Sequence, residues 1–213
     1  MNTHSVSTGQ PSARRARRRA RTRADLLRAA REVFAAHGYH GATVAEITAA
    51  ADVAVGTFYL YFQDKDEALS ALLAEGLHTL GDEIRAAVEP LPPERTIPTV
   101  LRTIFGFAYV QRDLFRIALT GAGQHALALD AQRRLADSVG GALEDGRRHG
   151  LLAGYDTALL GRFITGIVTQ GIVWWFEHDT PDPEGMARQA LLLLRGGLPH
   201  ELLVLDEPSD RDG

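Results

Sequence analysis

From Thr22 onward, apolar residues recur at helical spacing. Leu26, Leu27, Ala30, Val33 and Phe34 form a stripe that ends at Gly38, a residue suited to stopping a helix. A short helix is predicted from Thr43, and another from about Ala54 to Phe62. Asp64 is placed to cap a long fourth helix. There Leu69, Leu73, Leu77, Leu80, Ile84 and Val88 fall at steps of four, four, three, four and four residues, and the stripe ends before Pro90. Further helices are predicted over 95–110, 112–120, 124–149, 156–178 and 183–196, with Pro181 and Pro183 separating the last two. Few alternating runs stand between turn residues, so no significant sheet is expected. The pattern predicts an all-α fold of about nine helices.

Composition bounds the chemistry. With 213 residues, 45% of them hydrophobic, the chain can bury one good core and a small second one. It has no cysteine, which excludes disulfide frameworks, zinc ribbons, iron–sulfur clusters and thiol nucleophiles. The net charge of −4 hides an asymmetry: residues 1–66 carry +4 and the remainder −8. Residues 1–23 hold seven arginines and no acid, which points this end at a polyanion. The first twenty residues read as a polar, low-complexity arm, disordered when free and attracted to phosphate. A secretory signal is rejected because Asp25, Arg28, Arg31 and Glu32 interrupt the apolar stretch that export needs. Leu159 to Phe176 approaches the length of a membrane span. Arg162, Gln170 and its helical periodicity favour a buried helix instead, and no membrane partner is expected. The expected divisions are an arm over 1–21, a first domain over 22–66, a second, larger domain over 67–198, and a tail over 199–213.

The informative segment runs from Thr43 to Lys65. Thr43 followed by Glu46 is a capping box: the Thr hydroxyl accepts from the Glu46 amide and the carboxylate reaches back to the Thr43 amide. Asp52 tolerates the left-handed conformation that a tight turn needs, and Val53 can plug the corner. Phe58 and Phe62 are four residues apart and share an inward face. Two short helices joined by such a turn, behind a longer supporting helix, make a helix-turn-helix. Small Gly56 would let phosphates approach closely. The Tyr59 and Tyr61 hydroxyls suit phosphate oxygens, and Thr57 suits a base edge or a thymine methyl. Lys65 is the only lysine among 23 basic residues. It stands at a helix N-terminus, where the dipole disfavours a cation, so a phosphate partner is expected. For the two tyrosines and Val55, packing against neighbouring helices is the competing reading.

The stretch from Arg23 to Leu73 resembles the TetR family of bacterial regulators. The likeness rests on Phe34-x-x-x-Gly38-Tyr39, Ala42-Thr43-Val44-x-x-Ile47 and Gly56-Thr57-Phe58-Tyr59-x-x-Phe62-x-x-Lys65. It implies that Arg23, Thr43, Val55, Gly56, Thr57, Tyr59, Leu60, Tyr61 and Lys65 face DNA. Asp52, Ala54, Ala45 and Val55 depart from the family pattern and leave few polar base readers. The resemblance also implies a cytoplasmic, ligand-responsive repressor. It would bind a near-palindromic operator as a homodimer through helices 156–178 and 183–196, and a small molecule would release it. Candidate pocket residues are Phe105, Tyr109, Phe115, Gln124, His125, Phe163, Gln170 and Trp174, although an aromatic at helical spacing is more often core. No enzymatic activity, metal or cofactor is expected, because the eight histidines show no ligand spacing and no nucleophile or phosphate-loop motif occurs. The alternative is a helical small-molecule-binding protein or enzyme without specific DNA recognition.

Overall fold

The computed structural model describes residues 10–120, 125–148, 150, 152–178 and 180–196. Among them the chain is helical: α1 (Gln10–Gly41), α2 (Val44–Ala50), α3 (Val55–Phe58), α4 (Lys65–Val88), α5 (Pro93–Val110), α6 (Arg112–Thr120), α7 (His125–Arg148), α8 (Thr157–His178) and α9 (Pro183–Gly196). No strand occurs among the described residues. The fourth through ninth helices fall within about two residues of their predicted bounds, with breakers such as Pro90, Pro181 and Pro183 marking ends of α4, α8 and α9.

Two elements differ from expectation. The arm is helical from Gln10 rather than disordered over 1–21; residues 1–9 lie outside the described residues. Residues 13–37 contain only good or moderate helix formers and neither Gly nor Pro. Extending an existing helix avoids the cost of nucleating one. Secondly, α3 is a single turn, Val55–Phe58, rather than a helix to Phe62. Ala54 has no side-chain oxygen to cap it, and Gly56 and a run of aromatics have weak helix propensity. Turn hydrogen bonds continue the path, from Leu60 N–H to Thr57 O and from Tyr61 N–H to Phe58 O.

The described residues pack as two compact units. The first unit takes the chain up to Thr79 together with Arg112–Val139. Its core joins Leu26, Ala30, Phe34, Ile47, Phe58, Phe62, Leu69 and Leu73 to Leu114 and Ile117 of α6. Thus α6 belongs to the same packed body as the helix-turn-helix. Arg31 of α1 donates to both carboxylate oxygens of Asp113 on α6, through Nε at 2.6 Å and through Nη2. A Cβ on Gly76 of α4 would lie 2.4 Å from Leu114 Cδ2, so the glycine admits this close approach.

The second unit contains Leu80–Gln111 and the chain from Gly140 onward. Helix α5 packs against α9, and α9 against α8. Gly161, Thr165, Val168, Ile172 and Trp175 of α8 are buried at steps of four, three, four and three residues. Arg102 Nε lies 2.9 Å from both carboxylate oxygens of Glu184. Trp175 Nε1 donates to Pro181 O at 2.6 Å, and its ring meets Phe105 edge-on. Helix α8 is long and apolar enough to cross a membrane by length and composition, yet its inward stripe is part of this core.

Candidate nucleic-acid interface

The scaffold of the helix-turn-helix is closed by local hydrogen bonds. Thr43 Oγ1 accepts from Glu46 N–H at 3.2 Å, and Glu46 Oε2 accepts from Thr43 N–H at 2.8 Å. The Thr43 hydroxyl also donates to Glu46 Oε2 at 2.7 Å. These bonds, led by that from the hydroxyl, hold the Glu46 carboxyl below its ordinary range. At the other end of α2, Asp52 has φ 53°. Its N–H donates to Ala49 O and the Val53 N–H donates to Thr48 O, the paired bonds of a Schellman turn. Phe58 and Phe62 are buried with ring centroids 5.4 Å apart. The capping box, the left-handed corner and the aromatic anchor are all present as the spacing predicts.

This scaffold leaves one surface open. Leu60 is 70% exposed, Tyr59 57% and Val55 48%, and Thr43 and Gly56 are also exposed. A Cβ on Gly56 would meet nothing within 4 Å. The protein's own packing therefore does not require glycine there; close approach by an outside partner would. Thr57 and Tyr61 are half-buried. The Arg19 guanidinium lies over the Tyr61 ring at 5.7 Å, and that of Arg23 over Phe62 at 5.5 Å. Arg23 also pairs with Glu75. These two arginines therefore have partners within the protein.

Lys65 has internal acceptors that its position in the sequence does not reveal. Its Nζ donates to Tyr39 O at 2.9 Å and to Ala42 O at 3.1 Å, and lies 4.4 Å from the Tyr39 ring centroid. It ties the chain after the Gly38 kink, where φ is 67°, to the start of α4. An ammonium has three donors, so one remains for an outside anion. Asp64 caps α4 as expected, its Oδ1 accepting from Glu67 N–H at 2.8 Å.

The pocket candidates divide. Phe105 is buried, and Tyr109 stacks on Trp175 with centroids 5.9 Å apart. Phe163, Gln170 and Trp174 do not join them. They lie with Leu159 and Ile167 along an exposed stripe of α8, opposite the buried one. Adjacent residues on a helix diverge by about 100°, so Trp175 takes the core and Trp174 the surface, where it stacks on His178 at 4.2 Å. Phe115 is half-buried on α6 in the first unit. Gln124, the side chain of His125 and the tail from 199 lie outside the described residues.

Thr165 is a polar group that periodicity alone did not single out. It is buried on the inward stripe, and its hydroxyl has no hydrogen-bond partner among the described residues. The signal in the sequence was a threonine at an otherwise apolar inward position.

The comparisons with known proteins agree with this architecture. Residues 26–72 match the family model described as bacterial regulatory proteins, tetR family. The fatty acid metabolism regulator protein of Bacillus subtilis (strain 168) is 28% identical over 193 residues, covering 81% of this chain and 93% of that relative. The fatty acid degradation regulator FadR from Bacillus halodurans has a similar structure, with TM-score 0.74 and 26% identity over 83% of this chain and 96% of that one. The structure of FadR from Bacillus subtilis in complex with stearoyl-CoA gives TM-score 0.69 and 25% identity over 82% of this chain and 98% of that one. The motifs, the helix-turn-helix geometry and the likeness through both halves of the chain converge: residues 26–72 form a domain of the tetR family of bacterial regulatory proteins, and over four-fifths of its length the chain is similar to a transcriptional regulator.

Proposed function

We propose that this protein is a cytoplasmic repressor that binds a near-palindromic operator as a homodimer and is released by a long-chain acyl-CoA. The observation that carries the effector assignment is the likeness over four-fifths of the chain to a regulator complexed with stearoyl-CoA. The exposed turn holding Val55, Gly56, Thr57, Tyr59 and Leu60 supports the DNA assignment. In this reading Thr43 and Lys65 flank that turn and contact the phosphate backbone. A single short reading element spans too few bases, and a dimer presents two of them about 34–36 Å apart to successive major grooves. The exposed apolar stripe of α8, with Leu192 and Leu193 exposed on α9, supports the homodimer. Thr165 supplies a hydrogen bond to a polar group of the effector. A buried hydroxyl left unpaired costs about 1–3 kcal/mol, so an occupant that accepts from it is favoured.

Release requires that the effector prefer the conformer unable to span both half-sites, typically by about 1–3 kcal/mol. The test begins with selection of bound fragments from genomic DNA. The selected operator is then titrated with protein in the presence of stearoyl-CoA, free stearate or CoA alone. A preferred palindrome released by stearoyl-CoA and not by CoA alone is expected. Sequence-blind binding at every salt concentration would sink the repressor reading, and indifference to acyl-CoA would sink the effector. Thr165→Val, which keeps the shape and removes the unpaired hydroxyl, should weaken the acyl-CoA response without lowering thermal stability.

A further inference from the structure

The matched family stretch starts at residue 26, but α1 starts at Gln10. Between residues 13 and 23 the helix carries Arg14, Arg15, Arg17, Arg18, Arg19, Arg21 and Arg23, with only Ala and Thr between them. All but Arg23 are exposed. Arg15, Arg19 and Arg23 follow at steps of four and form one stripe. Its lower members rest on the recognition side of the first unit, Arg19 over Tyr61 and Arg23 over Phe62 and beside Glu75. The base of the extension is therefore held beside the exposed turn that holds Val55, Tyr59 and Leu60. Arg14, Arg17, Arg18 and Arg21 lie on other faces of the helix, and among the described residues no ion pair neutralises the charge that they place there.

Several of these arginines repel one another at four-residue spacing: Arg14 and Arg18, Arg15 and Arg19, Arg17 and Arg21. A dense polyanion removes that repulsion. Residues 13–23 span about 15 Å of helix axis, and the same length of duplex carries about nine negative charges. The shape narrows the mode of binding. A helix with its side chains is about 10–12 Å across, and the minor groove is about 6 Å wide, so the extension cannot enter that groove while helical. Residues 13–23 also carry no Asn or Gln to read adenine edges.

We propose that the N-terminal extension of α1 is a second DNA contact: a basic helix that lies along the phosphate backbone beside the recognition turn and contributes affinity without sequence preference. The proposal rests on the reading that this turn faces DNA. Its test uses the full-length dimer on the selected operator and on a scrambled duplex, with binding measured from low to high salt. The combined variant Arg14→Gln, Arg17→Gln, Arg18→Gln and Arg21→Gln should lose affinity for both duplexes by the same factor. The slope of log affinity against log salt should become shallower by about 0.9 for each phosphate contact removed. Ala16→Pro keeps every charge and breaks the helix, and it should also weaken binding to both duplexes. An unchanged slope in the glutamine variant would overturn the proposal, and unchanged binding by Ala16→Pro would overturn its helical form. Capture of the protein by phosphatidylserine vesicles, together with an unchanged slope on DNA, would overturn it in favour of a lipid surface. If the unsubstituted protein showed no preference between the two duplexes, the failure would lie in the proposed operator recognition and not in the arm.

Discussion

Around Val55, Tyr59 and Leu60, exposed apolar surface covers little more than one helical turn, with Thr57 within it and Arg19 and Arg23 of α1 over the neighbouring Tyr61 and Phe62 rings. Along α8, from Leu159 through Phe163 and Ile167 to Trp174, it runs for about four turns. The first surface is small, set on hydrogen-bonded caps, and surrounded by donors. It suits base edges and methyl groups between two phosphate backbones. The second is long and poor in charge, and it suits a matching apolar helix face. Exposed hydrophobic residues are therefore informative here through their extent and their neighbours, not through their number.

Substitutions can separate these two surfaces from the cores beneath them. Phe58→Ala empties a fully buried site under the recognition turn and should lower folding stability by about 3–5 kcal/mol, read by urea unfolding. Phe163→Glu, 58% exposed on α8, should leave the protomer folded by circular dichroism. It should weaken self-association by about 2 kcal/mol or more, read by sedimentation. A dimer that survives this change would remove α8 from the interface. Lys65→Met should cost about 1–3 kcal/mol of stability at low and high salt alike, because two carbonyls lose their donor. A loss confined to DNA binding would mean that the clamp on Tyr39 and Ala42 is dispensable.

Gly56→Ala should raise stability by about 0.5–1 kcal/mol, since alanine is the better helix former and its Cβ meets nothing in the protein. Operator binding should nonetheless weaken, and retained affinity would show that no partner approaches that backbone closely. The smallest effect concerns pH. Hydrogen bonding from Arg31 holds the Asp113 carboxyl below its ordinary range, against the opposing effect of burial. A carboxyl depressed in the folded state adds stability above its unfolded value near 4, and that stability is lost as pH falls through the folded value. Asp113→Asn should therefore unfold with less dependence on acid below about pH 4. The difference should be under about 1 kcal/mol, because the pair is about a third exposed.

The long helices were legible in the sequence because their stripes repeat over many turns and end at strong stop signals. The capping box at Thr43 and Glu46, the corner at Asp52 and the Phe58–Phe62 anchor were legible because each depends on residues at most a few positions apart. The length of α3 was less so, since one weakly favoured turn can end as helix or as successive tight turns at nearly equal cost. The state of the arm was not legible, because an arginine-rich stretch fits both a solvated coil and the extension of a stable helix.

What the sequence determined by itself was local: helix positions, caps, the left-handed corner and the basic character of the N-terminal end. Which face of α8 is buried needed the tertiary structure, because apolar residues line both sides of that helix and only its packing, with Trp175 against Phe105 and Tyr109 of α5, places Trp175 inside and Trp174 outside. The same holds for Lys65 and Asp113. Their acceptor and donor partners lie 23–26 and 82 residues away in the chain, and only the folded packing brings them within hydrogen-bond reach.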